Sequence, residues 1–251
     1  MVIEGKGHAP VSGLLTEAPS PSCLLVLGHG AGAPMTHPWM EKLAGVLAGE
    51  GISTLRYNFQ YMEAGRRRPD PVRRLLNVVG SALRFGRECA DGLPLFAGGK
   101  SMGGRMTSTL VAERARAAAL VGRETVEHLH AGGAEVPAGL VFFGFPLHAP
   151  GRRESVRGDH LMHVPCPMLF HQGTRDRLAD TGLLRPLLER VGPRATLRLH
   201  EGGDHSLGML KRSGRTLDDV LAEAAALTRK WVDGVLAAGS RRTDPVRGDR
   251  P

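Results

Sequence analysis

Short apolar runs alternate with longer amphipathic stretches along most of this chain. Cys23–Leu27, Ile52–Tyr57, Pro94–Ala97, Gly139–Phe143, Pro167–His171 and Ala195–Leu199 are brief and bounded by turn formers, as buried strands are. Between them Pro38–Gly49, Ser101 to about Leu120, Asp180–Val191 and Thr216 to about Leu236 carry apolar residues at helical spacing. Asp70-Pro71-Val72 predicts another helix, with Asp70 as its acidic cap, Pro71 in the first turn and Leu75, Leu76, Val79 and Leu83 on its buried face. Strand and helix in strict alternation predict an α/β protein with three layers around a mostly parallel central sheet.

The ends and one internal stretch depart from that rhythm. Val11–Leu15 predicts an edge strand, and residues 1–10 and 239–251 lack a continuous apolar face, so they are expected to be flexible, the second of them basic. Residues 11–238 then form a single domain, the ordinary outcome for a chain of 251 residues. The stretch 115–137 is ambiguous. Glu124–His130 predicts a short helix before a glycine-rich loop, and the segment reads either as a small cap beside a site or as surface padding.

Chemistry enters at Gly99-Lys100-Ser101-Met102-Gly103, which follows a strand and opens a helix. A sharp strand-to-helix turn lifts a serine above the sheet, and glycines on either side keep Cβ atoms out of crowded space, which makes Ser101 the candidate nucleophile. A serine needs a base to take its proton and an acid to orient that base. Asp176, after the strand ending Phe170-His171, and His205, after the strand ending Leu199-His200, supply both in the chain order of this arrangement. Alone, each would be an ordinary turn aspartate or surface histidine; together they support one another. A developing oxyanion requires fixed donors. The amide of Met102 and one from the loop Gly28-His29-Gly30-Ala31-Gly32, at Gly30 or Ala31, are the expected pair. His29 is expected to order that loop rather than act as a base.

Composition removes other classes. No apolar run is long enough for a membrane span, and the opening residues lack a secretory signal's apolar centre, so a cytoplasmic location is expected. The net charge of +8 comes without interleaved aromatic positions, with only two Trp and two Tyr, so no specific nucleic-acid partner is expected. His37, His148, His160 and His163 show no metal-ligand spacing, and neither metal nor cofactor is called for. Three cysteines, Cys23, Cys89 and Cys166, read as free thiols. Arg56 and Arg105 are expected to pair with carboxylates inside the fold, the alternative being recognition of an anionic substrate, and Lys100 gains no catalytic role from adjacency to Ser101 alone. The oligomeric state is left open.

Gly28–Pro34, Arg56–Phe59, Tyr61–Gly65, Gly98–Arg105, Gly144–His148, Gln172–Asp176 and Gly203–Ser206 together resemble the α/β-hydrolase superfamily. More narrowly they resemble its dienelactone-hydrolase-like branch and a group of small bacterial hydrolase-like proteins, over roughly residues 24–231. The resemblance implies Ser101 as nucleophile, Asp176 as acid and His205 as base, with Gly30, Ala31 and Met102 at the oxyanion, in agreement with the residue chemistry. The stretch 115–137 is longer than the compact family pattern. Asn58, Phe59, Tyr61, Met62, Leu147 and His148 follow strands and are expected to line the pocket or to support it by loop packing. The function expected is hydrolysis of a small ester or thioester through an acyl-enzyme. Two alternatives stay open, a noncatalytic interaction scaffold on the same fold and a dienelactone-like hydrolase of an anionic substrate.

Overall fold

A computed structural model describes residues 1–130, 136–149, 151–153 and 157–243. In chain order the main elements are β1 (Val2–Ile3), β2 (Val11–Thr16), β3 (Cys23–Gly28), α1 (Pro38–Gly49), β4 (Ile52–Tyr57), α2 (Gln60–Glu63), α3 (Val72–Ala90) and β5 (Leu95–Lys100). They continue with α4 (Met102–His130), β6 (Leu140–Phe143), β7 (Met168–Gly173), α5 (Thr181–Val191), β8 (Ala195–His200) and α6 (Leu217–Thr243). The strands form one sheet in the order β1-β2-β4-β3-β5-β6-β7-β8. β1 and β2 run antiparallel to their neighbours, and β4 through β8 and β3 pair in parallel. This is the three-layer α/β fold expected from the alternation.

Strand periodicity explains the layers. Side chains point to opposite faces at successive positions, so a strand covered on both sides must be apolar throughout. On β3, Leu24 and Val26 join one core with α3, α4 and α5, while Cys23, Leu25 and Leu27 join the other with α1 and α6. Leu140 and Phe142 of β6 face the first core and Val141 and Phe143 the second. All the parallel strands therefore end at the same edge, where the loops after β3, β5, β7 and β8 meet.

Several expectations are corrected. Residues 1–10 are not loose throughout: Val2 and Ile3 pair with Ser12 and Val11, and Ile3 is fully buried. Two apolar residues suffice for an edge strand when a partner is already in place, and β2 is thereby an interior strand. Asp70 does not cap α3. Pro71 holds the cap position without a side-chain bond, and Asp70 pairs with Arg66 and Arg74, at 2.7 and 3.3 Å. The two helices expected between Ser101 and His130 are one helix, α4, and residues 131–135 of the stretch 115–137 lie outside the described residues. Likewise α6 runs past position 239 to Thr243, and 244–251 lie outside.

The cysteines are free. Burial pushes the Cys23 thiol up to about 11 and the Cys166 thiol up to about 12; Cys89, late on α3 and half-buried, is raised as well, by desolvation and then by Glu88.

Candidate active site

The turn after β5 shows why its sequence is rich in glycine. Ser101 adopts φ +50°, a left-handed conformation that costs a side-chain-bearing residue energy and is held by the packing around it. A Cβ on Gly99 would stand 2.3 Å from the carbonyl oxygen of Gly28, and one on Gly103 would meet the Gly28 backbone at the same distance. The helix that carries the serine can approach β3 only because neither position has a side chain. The Ser101 amide is bonded to the Phe143 carbonyl at 3.2 Å, and the first helical bond runs from the Arg105 amide to the Ser101 carbonyl at 3.1 Å. Met102 thus opens α4, where an amide has no acceptor within the helix and the helix dipole favours negative charge.

Three loops bring the expected residues together. The Ser101 hydroxyl lies 2.8 Å from Nε2 of His205, and Nδ1 of His205 lies 2.7 Å from Oδ2 of Asp176. A carboxylate accepts only, so the imidazole proton sits on Nδ1 and Nε2 is free to accept from the serine. The Asp176 side chain is fully buried while a quarter of the His205 side chain is exposed. Asp176 is fixed from two further directions, by the Leu178 amide at 2.7 Å and by the Gln172 side-chain amide, whose oxygen in turn accepts from the Phe145 amide at 2.9 Å. The histidine loop is held by Asp204, whose Oδ1 accepts from the amides of Ser206 at 2.8 Å and Gly208 at 2.9 Å. Leu207, at φ +62° and fully buried, anchors the same turn.

The loop after β3 lies across from the serine. A Cβ on Gly30 would be 3.7 Å from Cβ of Ser101. His29 is buried beneath the loop, donating through Nδ1 to the Gly30 carbonyl at 2.6 Å and accepting through Nε2 from the Phe59 amide at 3.0 Å. Desolvation lowers its pKa to about 4, so the imidazole is neutral and serves as a brace.

Ser101 and His205 open into a cavity of about 550 Å³. Its walls include Gly30 and Ala31, and its apolar surface comes from Trp39 and Met40 of α1, Leu178, and Leu217 at the start of α6. Lys42 and Asp218 form an exposed ion pair between α1 and α6 at 2.6 Å.

None of the six expected pocket residues reaches this cavity. Asn58 accepts from the Met35 amide at 2.9 Å, and Tyr61 donates to the Ala31 carbonyl at 2.9 Å, so both hold the loop from behind. Phe59 is fully buried between Tyr57 and Tyr61, and Met62 packs against the core. Leu147 is fully buried, and His148 accepts from the Asp180 amide at 3.0 Å. These residues follow strands, but their loops turn inward and pack. Arg56 is also corrected: it donates to the Met35 carbonyl and the Thr16 hydroxyl, not to a carboxylate. Arg105 has a buried Nε without a partner and feels Arg157 beside it. The residues that sequence reasoning missed, Trp39, Met40 and Leu217, sit on helices where an apolar residue reads as core. Gln172 and Asp204 were legible only as neighbours of the acid and the base.

Residues 21–233 match the model of a family described as an alpha/beta hydrolase domain. The chain belongs to that family. Solved structures share the fold of this α/β-hydrolase domain at low identity. An alpha-beta serine hydrolase homologue from Coxiella burnetii is 15% identical, with a TM-score of 0.67 over 91% of this chain and 95% of that one. A serine hydrolase without lid from Xanthomonas campestris is 18% identical, with a TM-score of 0.64 over 92% and 93%. A dienelactone hydrolase from Anabaena variabilis is 19% identical, with a TM-score of 0.65 over 92% and 94%. At these identities the likeness speaks for the α/β-hydrolase fold and not for one branch of it. Among the described residues no helix is long and apolar enough to cross a membrane, and no group of His, Cys, Asp and Glu is arranged to hold a metal.

Proposed function

We propose that this α/β-hydrolase domain is a serine hydrolase of small ester or thioester substrates that works through an acyl-enzyme. The observation that carries the reading is the unbroken hydrogen-bond chain from Asp176 through His205 to Ser101, the last two lining a cavity. Nε2 of His205 takes the hydroxyl proton as Oγ of Ser101 attacks the carbonyl carbon. The carbonyl electrons pass to oxygen, which the Met102 amide and one from Gly30 or Ala31 stabilise. Collapse expels the alkoxide or thiolate, which takes the proton from the imidazolium, and Asp176 holds the ring in place throughout. Water, deprotonated by His205, then attacks the acyl group, and the second tetrahedral species releases the acid and restores the serine.

The apolar walls from Trp39, Met40, Leu178 and Leu217 favour a small uncharged acyl group. A dienelactone-like anionic substrate calls for arginines near Ser101, and neither Arg56 nor Arg105 is among the residues around the cavity, where the cationic side chains are Lys42 and Lys100. The scaffold alternative calls for Ser101, Asp176 and His205 to be occluded or out of register together with an exposed apolar surface around 115–137; the bond from Ser101 to His205 and the cavity beside it speak for the hydrolase, whereas Leu120 and Val136 in that stretch are exposed.

The deciding experiment is labelling with a small fluorophosphonate, read by intact mass and peptide mapping. Wild type is expected to gain one adduct on Ser101, S101A none, and H205A to react slower by roughly a hundredfold or more. Absence of any adduct on folded wild type with several such reagents would reject the hydrolase and favour the scaffold. A panel of esters of increasing acyl length then sets the substrate range.

A further inference from the structure

Lys100 immediately precedes the serine, yet its side chain is buried, with 7% of the residue exposed. Its Nζ donates to the main-chain carbonyl of His205 at 2.5 Å and lies 5.6 Å from the centre of the Trp39 ring. The side chain runs past two glycines. Cγ passes 3.6 Å from where a Cβ on Gly30 would be, and Nζ ends 3.1 Å from where one on Gly144 would be. Gly144 itself, at φ +68°, admits the histidine loop, since its Cβ would fall 2.4 Å from the His205 carbonyl oxygen. The next carbonyl, that of Ser206, accepts from the Trp39 indole at 2.8 Å. Asp204 thus fixes the amides of this loop, while Lys100 and Trp39 fix two successive carbonyls from β5 and α1.

An ammonium is an expensive way to fill buried space, and a methionine of similar length would avoid the desolvation. What a methionine cannot do is hold the His205 carbonyl. We propose that Lys100 is a positioning residue for the base: by gripping the His205 carbonyl beneath Trp39 it sets the imidazole on the line between Asp176 and Ser101. The inference rests on the hydrolase reading above for its kinetic consequence, but its structural content is independent of it. The charged groups that act on Lys100 are Asp176 and Asp204, and the titratable or charged groups that share its cavity are His205, whose carbonyl it holds, His37 and Lys42. Burial outweighs the two carboxylates and lowers the ammonium to about 8, so the charged grip weakens as pH rises through that value.

The test compares wild type, K100M and W39F by fluorophosphonate labelling across pH and by hydrogen exchange of the 203–208 amides. For K100M the maximal labelling rate is expected to fall roughly ten- to hundredfold with reagent affinity unchanged, as a displaced base would produce. The wild-type rate should decline through pH about 8, and K100M should lack that limb. Exchange in the loop should quicken in K100M and, less strongly, in W39F. A K100M rate within about twofold of wild type, or an unchanged pH profile, overturns the proposal, because at this distance misplacement is costly. If wild type itself is not labelled, the hydrolase reading fails, and the exchange data decide the inference separately: unaltered protection rejects it. Should K100M not fold, K100Q takes its place, with the same labelling rates and loop exchange deciding.

Discussion

Gln172 bonds at both ends of its side-chain amide, to the Asp176 carboxylate and to the Phe145 amide, and is itself fully buried. Replacing it with leucine keeps the volume and strands the Phe145 N–H, so Gln172→Leu is expected to cost about 1–3 kcal/mol in urea unfolding. The same change frees Asp176 to rotate, and serine labelling should slow even under conditions where the variant is fully folded. Residues of this kind mark the limit of what the sequence reveals. Ser101, Asp176 and His205 were legible because each follows a strand, carries a turn signal and falls in the right order. Asn58 and Tyr61 occupy equally suggestive positions after β4, but their side chains bond to the Met35 amide and the Ala31 carbonyl. Whether a loop residue faces the cavity or the core depends on the direction of a turn, which neither hydropathy nor spacing encodes.

Between elements, β3 and the start of α4 meet backbone to backbone. Gly103→Ala would place a methyl group 2.3 Å from the Gly28 backbone, where no flexible side chain can yield. The expected penalty is about 3 kcal/mol or more, visible as a lowered thermal midpoint, because a packed backbone must separate to relieve it. Gly32→Ala, with nothing within 4 Å of the new atom, is the matched control and should melt like wild type. The parallel strands were readable because burial on both faces demands continuous apolar runs, as in Leu140–Phe143, whereas their order in the sheet was not. Helix ends were less so. Nothing in the composition of Val121–His130 signals whether α4 stops or continues, since local propensity there suits either outcome. The cavity walls were hidden for a related reason: Trp39, Met40 and Leu217 satisfy helical periodicity, and a residue at the end of a core face looks the same as one within it.

For the molecule as a whole, acid should be the weak side. His29 and His160 are held near 4 by burial, and His171 lies well below its usual value, bonded to His200 at 3.0 Å and to Thr228 at 3.0 Å. Each is neutral in the fold and charged in the unfolded chain below about 6.5, so the unfolded state binds more protons there. Stability present above that pH is lost as pH falls toward about 4. Thermal melts at pH 7 and pH 5 should differ by roughly 5 °C or more, and equal midpoints would contradict this account. The cysteines carry a different consequence. Cys23 and Cys166 are sealed in the two cores with their thiols protonated, while Cys89 stands half-open on α3. It sits near the N-terminal ends of the strands, beside Leu93 and Pro21, whereas Ser101 lies beyond their C-terminal ends. A maleimide added to the folded protein should therefore write on one address only, giving a dye at the back of the molecule that leaves the cavity unobstructed.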